Sequence, residues 1–299
     1  GPDNLGEEEG LFWKAFGAVL GLLVLFFPSF FWLLRYHRPR AGSPPILLYH
    51  KVDRRPELGG TWNLPSQFEA HLRYLKEREF EVVPLSLILD DPQGRRMVSL
   101  TFDDGYEDIY HYAFPLLKRF GFPATVFLVA GYIGEENLWD VTLGKRFRHL
   151  TWEQIEEMRE SGISYGSHTM SHPDLTRVPL DRVRYELEQS KELLEARLGE
   201  EVRFVSYPFG RYDEEVERIA EQAGYEACFC SFKRSRGSSL NRCSVGRRGM
   251  YIIDTPFDFR AKVEPSNLLI FALEEMKGRV INVFSHGTPL VKGIFRKSP

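Results

Sequence analysis

Excess positive charge is missing from this 299-residue sequence: 39 lysines and arginines stand against 42 aspartates and glutamates, a net charge of −3. With no basic footprint and no zinc-finger, basic-zipper or RNA-binding signature, nucleic acid is excluded as a partner. Cysteine is scarce as well. Cys228, Cys230 and Cys243 are odd in number and lack the paired C-x-x-C spacing of a structural zinc site. Neighbouring cysteines on one strand rarely reach disulfide geometry, so all three are expected to be core or surface thiols. Internal repeats and low-complexity blocks are also missing. The remainder, 43% hydrophobic and 27% charged, is an ordinary globular composition, enough for one large domain or two small ones.

One long apolar run stands apart. From Ala15 to Leu34, "AFGAVLGLLVLFFPSFFWLL" holds 20 residues without a charge. At about 1.5 Å per residue, a helix of that length crosses a hydrocarbon core of about 30 Å. The apolar part of a secretory signal is normally about 7 to 15 residues, so the run is expected to be a transmembrane anchor, with Trp13 and Trp32 at the interfaces. The expected division is a flank and anchor over residues 1–40, a Pro/Gly/Ser linker over 41–45, and a catalytic domain over 46–299. The acidic N-terminal flank and Arg35, Arg38 and Arg40 after the run favour a cytoplasmic C-terminal side.

Beyond the linker, apolar runs alternate with amphipathic segments. Strands are expected at 46–49, 97–102, 124–129, 163–167, 203–207, 225–230 and 280–285. Helices are expected over "PSQFEAHLRYLKER", "YHYAFPLLKRF", "TWEQIEEMRES", "LDRVRYELEQSKELLEARLG" and "DEEVERIAEQAG". Thr151 and Gln154 in "TWEQ" have capping-box form. Such alternation predicts an α/β fold with a mainly parallel sheet, closed or open. In either form the reactive residues gather in loops after the carboxyl ends of the strands.

Three polar clusters occupy such positions: "TFDDG", "GSHTMSH" and "FSHG". His168 and His172, four apart, suit a shared metal ion if the segment turns; taken alone, they read first as a pair of surface or capping histidines. Two imidazoles plus one carboxylate of the Asp103–Asp104 pair make a three-ligand set that leaves room for water and substrate. The second carboxylate is then free to act as a base. Without a metal, "DDG" reads as a turn that caps the next helix.

In this order and at these separations, "TFDDG", "SHTMSH", "SYPFGRYD" and "NVFSHG", with the opening "ILLYHKVD", resemble the polysaccharide deacetylases of carbohydrate esterase family 4, the NodB-homology group. The resemblance covers roughly residues 46–290. It implies a distorted, incomplete (β/α) barrel. By motif it gives Asp103 the part of general base, Asp104, His168 and His172 that of a metal triad, and His286 that of general acid. Tyr207 matches the residue whose backbone N–H helps hold the tetrahedral oxyanion. Zn²⁺ is the expected ion, with Co²⁺ or Ni²⁺ as alternatives.

One departure from the pattern matters. Many members carry an arginine two residues before the motif proline, where it pairs with the base; here that place is Ser206. Arg248 in "GRRGMYIIDTP" is the expected substitute, and His50 is expected to line the site. His149 and Asp174 are expected to be solvated.

The "SYPFG" form resembles the branch that acts on poly-N-acetylglucosamine-like exopolysaccharides. The implied activity is removal of N-acetyl groups from a membrane-proximal amino-sugar polysaccharide, with a synthesis machinery as a potential partner. Other readings are a deacylase or deformylase of a lipid-linked amino sugar, a polysaccharide O-acetyl esterase, and a non-catalytic glycan-binding subunit. The expected location is the cell membrane, single-pass, with an extracytoplasmic catalytic domain; the cytoplasmic-facing alternative rests on Arg35, Arg38 and Arg40.

Overall fold

A computed structural model describes residues 44–55, 60–90, 96–137, 147–231, 242–264, 273, 274 and 276–278. The apolar run at 15–34, the expected strand at 280–285 and His286 lie outside the described residues; among those described, no helix is long and apolar enough to cross a membrane.

The largely apolar runs become strands buried on both faces, apart from the exposed Ser164. These are β1 (Ile46–Tyr49), β5 (Met97–Phe102), β6 (Ala124–Leu128), β7 (Ile163–Ser167), β8 (Phe204–Ser206) and β9 (Ala227–Cys230). Near-continuous hydrophobicity is what a parallel strand needs when helices cover one face and a core fills the other. Among the described residues five two-residue strands accompany them: β2 (Lys51–Val52), β3 (Trp62–Asn63), β4 (Glu81–Val82), β10 (Val245–Gly246) and β11 (Arg248–Gly249). The helices are α1 (Pro65–Glu77), α2 (Leu85–Asp90), α3 (Phe114–Phe120), α4 (Trp152–Glu160), α5 (Leu180–Leu198), α6 (Glu214–Gln222) and α7 (Pro256–Val263). The capping box at Thr151 and Gln154 forms as expected, and Asp213 caps α6.

Every ladder is parallel, in the order β10-β9-β8-β7-β6-β5-β1-β11, with β4 added beside the first half of β5. The two ends of that order are β10 and β11, yet in sequence they are separated by Arg247 alone. Segment 245–249 therefore pairs with β9 through its first half and with β1 through its second. The Arg247 N–H donates to the Cys230 carbonyl and the Met250 N–H to that of Leu48. The sheet thus curls into a nearly closed barrel whose seam is bridged by this one segment, in keeping with the expected incomplete barrel.

Strand parity then sorts the side chains, because successive residues point to opposite faces. Val98, Leu100 and Phe102 of β5, with Leu47, Val126, Tyr165 and Val205, join the large core under the helices. Ile46, Met97, Phe127, Phe204 and Phe229 form a second core of opposite parity, the barrel filling. Gly166 lies in this inner set, and a Cβ there would stand 2.6 Å from the Phe127 ring. Continuing the inner parity past the strand ends reaches Asp103 after β5, His168 after β7, and Ser206 in β8.

The cysteine expectation needs correction. Cys228 and Cys243 form a disulfide, and Cys230 is a buried thiol outside it, its Sγ 3.5 Å from the Val245 carbonyl. The partner is not the neighbouring cysteine but one brought alongside β9 when Val245 pairs with Phe229.

Candidate active site

Asp103, at the mouth of the barrel, is buried, and its two oxygens are gripped by one guanidinium. Arg247 Nη1 donates to Oδ1 and Nη2 to Oδ2, each at 2.7 Å. Nη2 also donates to Ser206 Oγ at 2.6 Å, and Ser206 Oγ donates in turn to Asp103 Oδ2 at 2.9 Å. The guanidinium lies over the rings of Phe127 and Phe229, 5.1 and 5.8 Å from their centroids. Burial pushes the Asp103 carboxyl up, but the charges of Arg247, His168 and His50 together outweigh it and hold the group below the usual carboxylate range.

Arg248 does not take this part. Its Nη1 donates to the Lys262 carbonyl in α7, whereas its neighbour Arg247 faces the barrel interior. The pleat decides the matter, since adjacent residues of segment 245–249 point opposite ways. Ser206, standing where the motif resemblance leads to an expected arginine, becomes a hydroxyl bridge between Arg247 and Asp103.

Asp104 leaves the strand with φ at 70°, followed by Gly105 at 67°. That turn reverses the side-chain direction, so the second aspartate does not follow the outward parity it would have on a continuing strand. His149 Nδ1–H donates to the Asp104 carbonyl at 2.9 Å and is buried, not solvated as expected. Asp174 is likewise engaged, accepting from Arg211 at 2.6 Å.

His168 donates through Nδ1–H to the Ser206 carbonyl at 2.7 Å, which leaves its Nε2 lone pair facing Asp104 Oδ1 at 3.5 Å. His172 Nε2 stands 3.3 Å from the same oxygen. Thr169 and His172 carry positive φ, 69° and 58°, as does Phe209 at 59°, whose ring packs edge-on against His172. Left-handed backbone at non-glycine residues costs of order 1 kcal/mol or more each. Among the described residues, four of the six non-glycine residues with positive φ are gathered here.

Burial raises the Asp104 carboxyl, yet its contacts with His168 and His172 and the charge of His50 bring it well below the usual range. For His168 burial works downward, and the Asp103 and Asp104 carboxylates overcome it, so the imidazole is raised. His50 follows β1 within electrostatic reach of both aspartates, Arg247 and His168; its burial dominates and lowers it.

Asp104, His168 and His172 are all buried, and one ligand atom from each lies within 4.8 Å of the others. Asp104 Oδ1 accepts no hydrogen bond among the described residues and faces two imidazole nitrogens. A buried, negatively charged oxygen without donors beside two imidazole nitrogens suits a divalent cation, and one carboxylate with two imidazoles is a donor set that such ions accept.

The Tyr207 expectation is not met in this arrangement. Its N–H donates to the Phe229 carbonyl at 2.9 Å, extending the β8–β9 ladder, and its ring stacks on Tyr212 in the outer core. His286 lies outside the described residues.

Residues 90–228 match the family model described as polysaccharide deacetylase. The chain carries a polysaccharide deacetylase domain of the NodB, carbohydrate esterase 4 type. This domain model spans Asp103, Asp104, His168, His172 and Ser206, whereas His50 and Arg247 fall outside it. YxkH of Bacillus subtilis (strain 168), which bears the same family's name, is 35% identical over 188 residues, or 61% of this chain; the match spans 62% of the length of YxkH. The poly-β-1,6-N-acetyl-D-glucosamine N-deacetylase of Staphylococcus aureus (strain MRSA252) is 24% identical over 242 residues, covering 77% of this chain and 81% of that protein. Among solved structures, the deacetylase PplD of Streptococcus pyogenes, in complex with acetate, superposes with a TM-score of 0.65 at 25% identity over 75% of this chain and 99% of its own. IcaB from Ammonifex degensii, with a TM-score of 0.60 at 23% identity over 78% and 97%, shares the fold of the polysaccharide deacetylase domain.

Proposed function

We propose that this protein is a metal-dependent hydrolase that removes N-acetyl groups from an amino-sugar polysaccharide, with a poly-N-acetylglucosamine-like chain as substrate. The observation that carries this reading is the division of labour between adjacent aspartates: Asp104 converges with two imidazoles, while Asp103 is held apart by Arg247 and Ser206. A binding module has no need of a second, separately held carboxylate. The name of the Staphylococcus aureus relative supports the substrate class.

In this reading Asp104, His168 and His172 hold a divalent ion, Zn²⁺ being the expected one. When bound, the ion supplies Lewis-acid polarisation and a lowered pKa for water. The chain's own residues do the rest. Asp103 is kept ionised by Arg247, and of about four lone-pair positions on a carboxylate, three accept hydrogen bonds from Arg247 and Ser206. The remaining capacity takes the proton of the attacking water. The bidentate guanidinium keeps the carboxylate from rotating away, and the His168–Ser206 bond fixes the tautomer that presents Nε2. His286 protonates the departing nitrogen, a part given to it by motif resemblance.

We further propose a membrane-proximal setting, because the 20-residue apolar run ends about ten residues before β1 and would keep the barrel near the bilayer. The proposed orientation is extracytoplasmic, where a polysaccharide substrate lies.

The test is acetate release from N-acetylated poly-β-1,6-glucosamine, chitooligosaccharides, O-acetylated xylan and an N-acylated lipid-linked amino sugar. Release is expected from the first at the highest kcat/KM, and loss of that release on chelation should be reversed by Zn²⁺. Preferential release from xylan would replace the amidase reading with an esterase one, and no release from any of them would refute it.

A further inference from the structure

We propose that Glu186, on α5, is a positioning residue that presents His172 to the metal; this rests on the metal-site reading above. Glu186 is fully buried (0% exposed) in the middle of a 19-residue helix. A carboxylate so placed demands partners, and its partners belong almost entirely to the turn between His168 and His172. Oε2 accepts from the Met170 N–H at 2.8 Å and from the Ser171 N–H at 2.7 Å; Oε1 accepts from Ser171 Oγ at 2.6 Å. Arg182, one helical turn earlier, contacts Oε1 at 2.7 Å and donates to Ser171 Oγ at 3.0 Å.

These bonds serve a segment that has little regular structure of its own. Between β7 and His172 the chain passes through Thr169 at φ 69° and ends at His172 at φ 58°, conformations disfavoured for residues with a Cβ. Two consecutive amides, those of Met170 and Ser171, therefore point away from any ladder and toward α5. The anionic acceptor on α5 satisfies both at once, and charge-assisted bonds of this kind are the strong ones. A second fastening lies a turn later, where Ser190 Oγ and Ser167 Oγ are 2.7 Å apart and Ser167 Oγ accepts from the Thr169 N–H. Within the turn, the His172 N–H donates to Thr169 Oγ1 at 3.1 Å. The strained turn that aims His172 at Asp104 is thus clamped from outside by one buried carboxylate, as outer partners commonly fix metal ligands.

The experiment measures Zn²⁺ affinity of the apo protein by chelator competition, with the Co²⁺ absorption spectrum as a second readout, for wild type, Glu186→Gln and Ser171→Ala. Glu186→Gln keeps the shape but replaces one acceptor by an amide donor facing N–H groups. It is expected to lower Zn²⁺ affinity by about 10- to 100-fold and to shift the Co²⁺ bands, because outer partners of metal ligands act on this scale. Ser171→Ala removes one of the three loop bonds and is expected to lower affinity several-fold, with a melting temperature of the apo protein close to wild type. If folded Glu186→Gln binds Zn²⁺ as tightly as wild type, the proposal is overturned. If Glu186→Gln does not fold, Ser171→Ala decides: wild-type affinity and spectrum overturn the proposal, and a several-fold loss sustains it. A wild-type protein that binds neither ion overturns the metal-site reading along with it.

Discussion

Replacing Arg247 by methionine isolates the electrostatic heart of the site. The guanidinium side chain is fully buried and makes two 2.7 Å bonds to Asp103 and one to Ser206. Methionine fills similar space against Phe127 and Phe229 but leaves a buried carboxylate without its countercharge. Breaking a buried pair in this way costs about 3 to 5 kcal/mol. His168, with Nε2 4.0 Å from Asp103, stays to carry part of the load, so the lower end, about 3 kcal/mol, is expected. That is a large share of the ordinary stability of about 5 to 15 kcal/mol.

Urea denaturation of the metal-free protein at pH 7 measures it directly. The informative partner is Asp103→Asn, which removes the charge that Arg247 neutralises. In the double variant most of the loss should be recovered, giving a coupling of about 2 kcal/mol or more between two sites in contact. The same substitution should move the acid limb of kcat/KM to higher pH, because the carboxyl then feels burial with less opposing positive charge. Arg247→Lys keeps a charge but not the fork, and should restore stability better than it restores turnover. Strict additivity of Arg247→Met and Asp103→Asn would refute the reasoning, since it would mean that Arg247 does not stabilise the Asp103 charge.

Two further predictions concern the scaffold. Burial beside Phe259 lowers the His71 imidazole to about 4, and its Nδ1 shares a hydrogen bond with the Tyr49 hydroxyl. Because the folded pKa lies below the unfolded value of about 6.5, stability is full above pH 6.5 and is lost as the pH falls toward 4, by about 3 kcal/mol. Chemical denaturation of His71→Gln should lack that part of the slope, and an unchanged slope would assign the acid sensitivity elsewhere. Thr151→Ala removes the hydroxyl that caps α4 and should cost about 1 kcal/mol in denaturant unfolding; no loss would mean that the Gln154 half of the box suffices.

The residues most legible in the sequence were those whose chemistry is contiguous. Asp103 and Asp104 follow an apolar run, and His168 and His172 follow another, so strand-end logic alone was enough to suggest a shared site. Helices with a strong apolar stripe or a capping signal, such as α1, α4 and α6, emerged within a residue or two of their expected bounds. What escaped depends on facts that only folding supplies. Arg247 and Arg248 are chemically identical neighbours, and which one enters the barrel follows from the phase of a strand only two residues long on either side. The same seam brings Cys243 to Cys228. The Tyr207 amide was given to the oxyanion by motif resemblance alone, whereas in the fold the ladder with β9 takes it. His149 carried no signal: a histidine outside any apolar run is buried by its stacking on Tyr106 and its bond to the Asp104 carbonyl, contacts that exist only in the folded chain. Glu186 falls on the buried stripe of α5, in step with Val183, Leu187 and Ser190, but its acidic side chain hid that place, because an acidic residue on a surface helix ordinarily means solvent.

The central claim, that Asp104 belongs to the metal and Asp103 to the proton, is tested most directly by Zn²⁺ stoichiometry of the two asparagine variants after equilibrium dialysis. The account predicts one ion per chain in wild type and in Asp103→Asn, the latter with acetate release reduced by on the order of 10² to 10⁴ fold, and no bound ion in Asp104→Asn. An Asp104→Asn protein that still binds one ion, or an Asp103→Asn protein that loses it, would contradict the account.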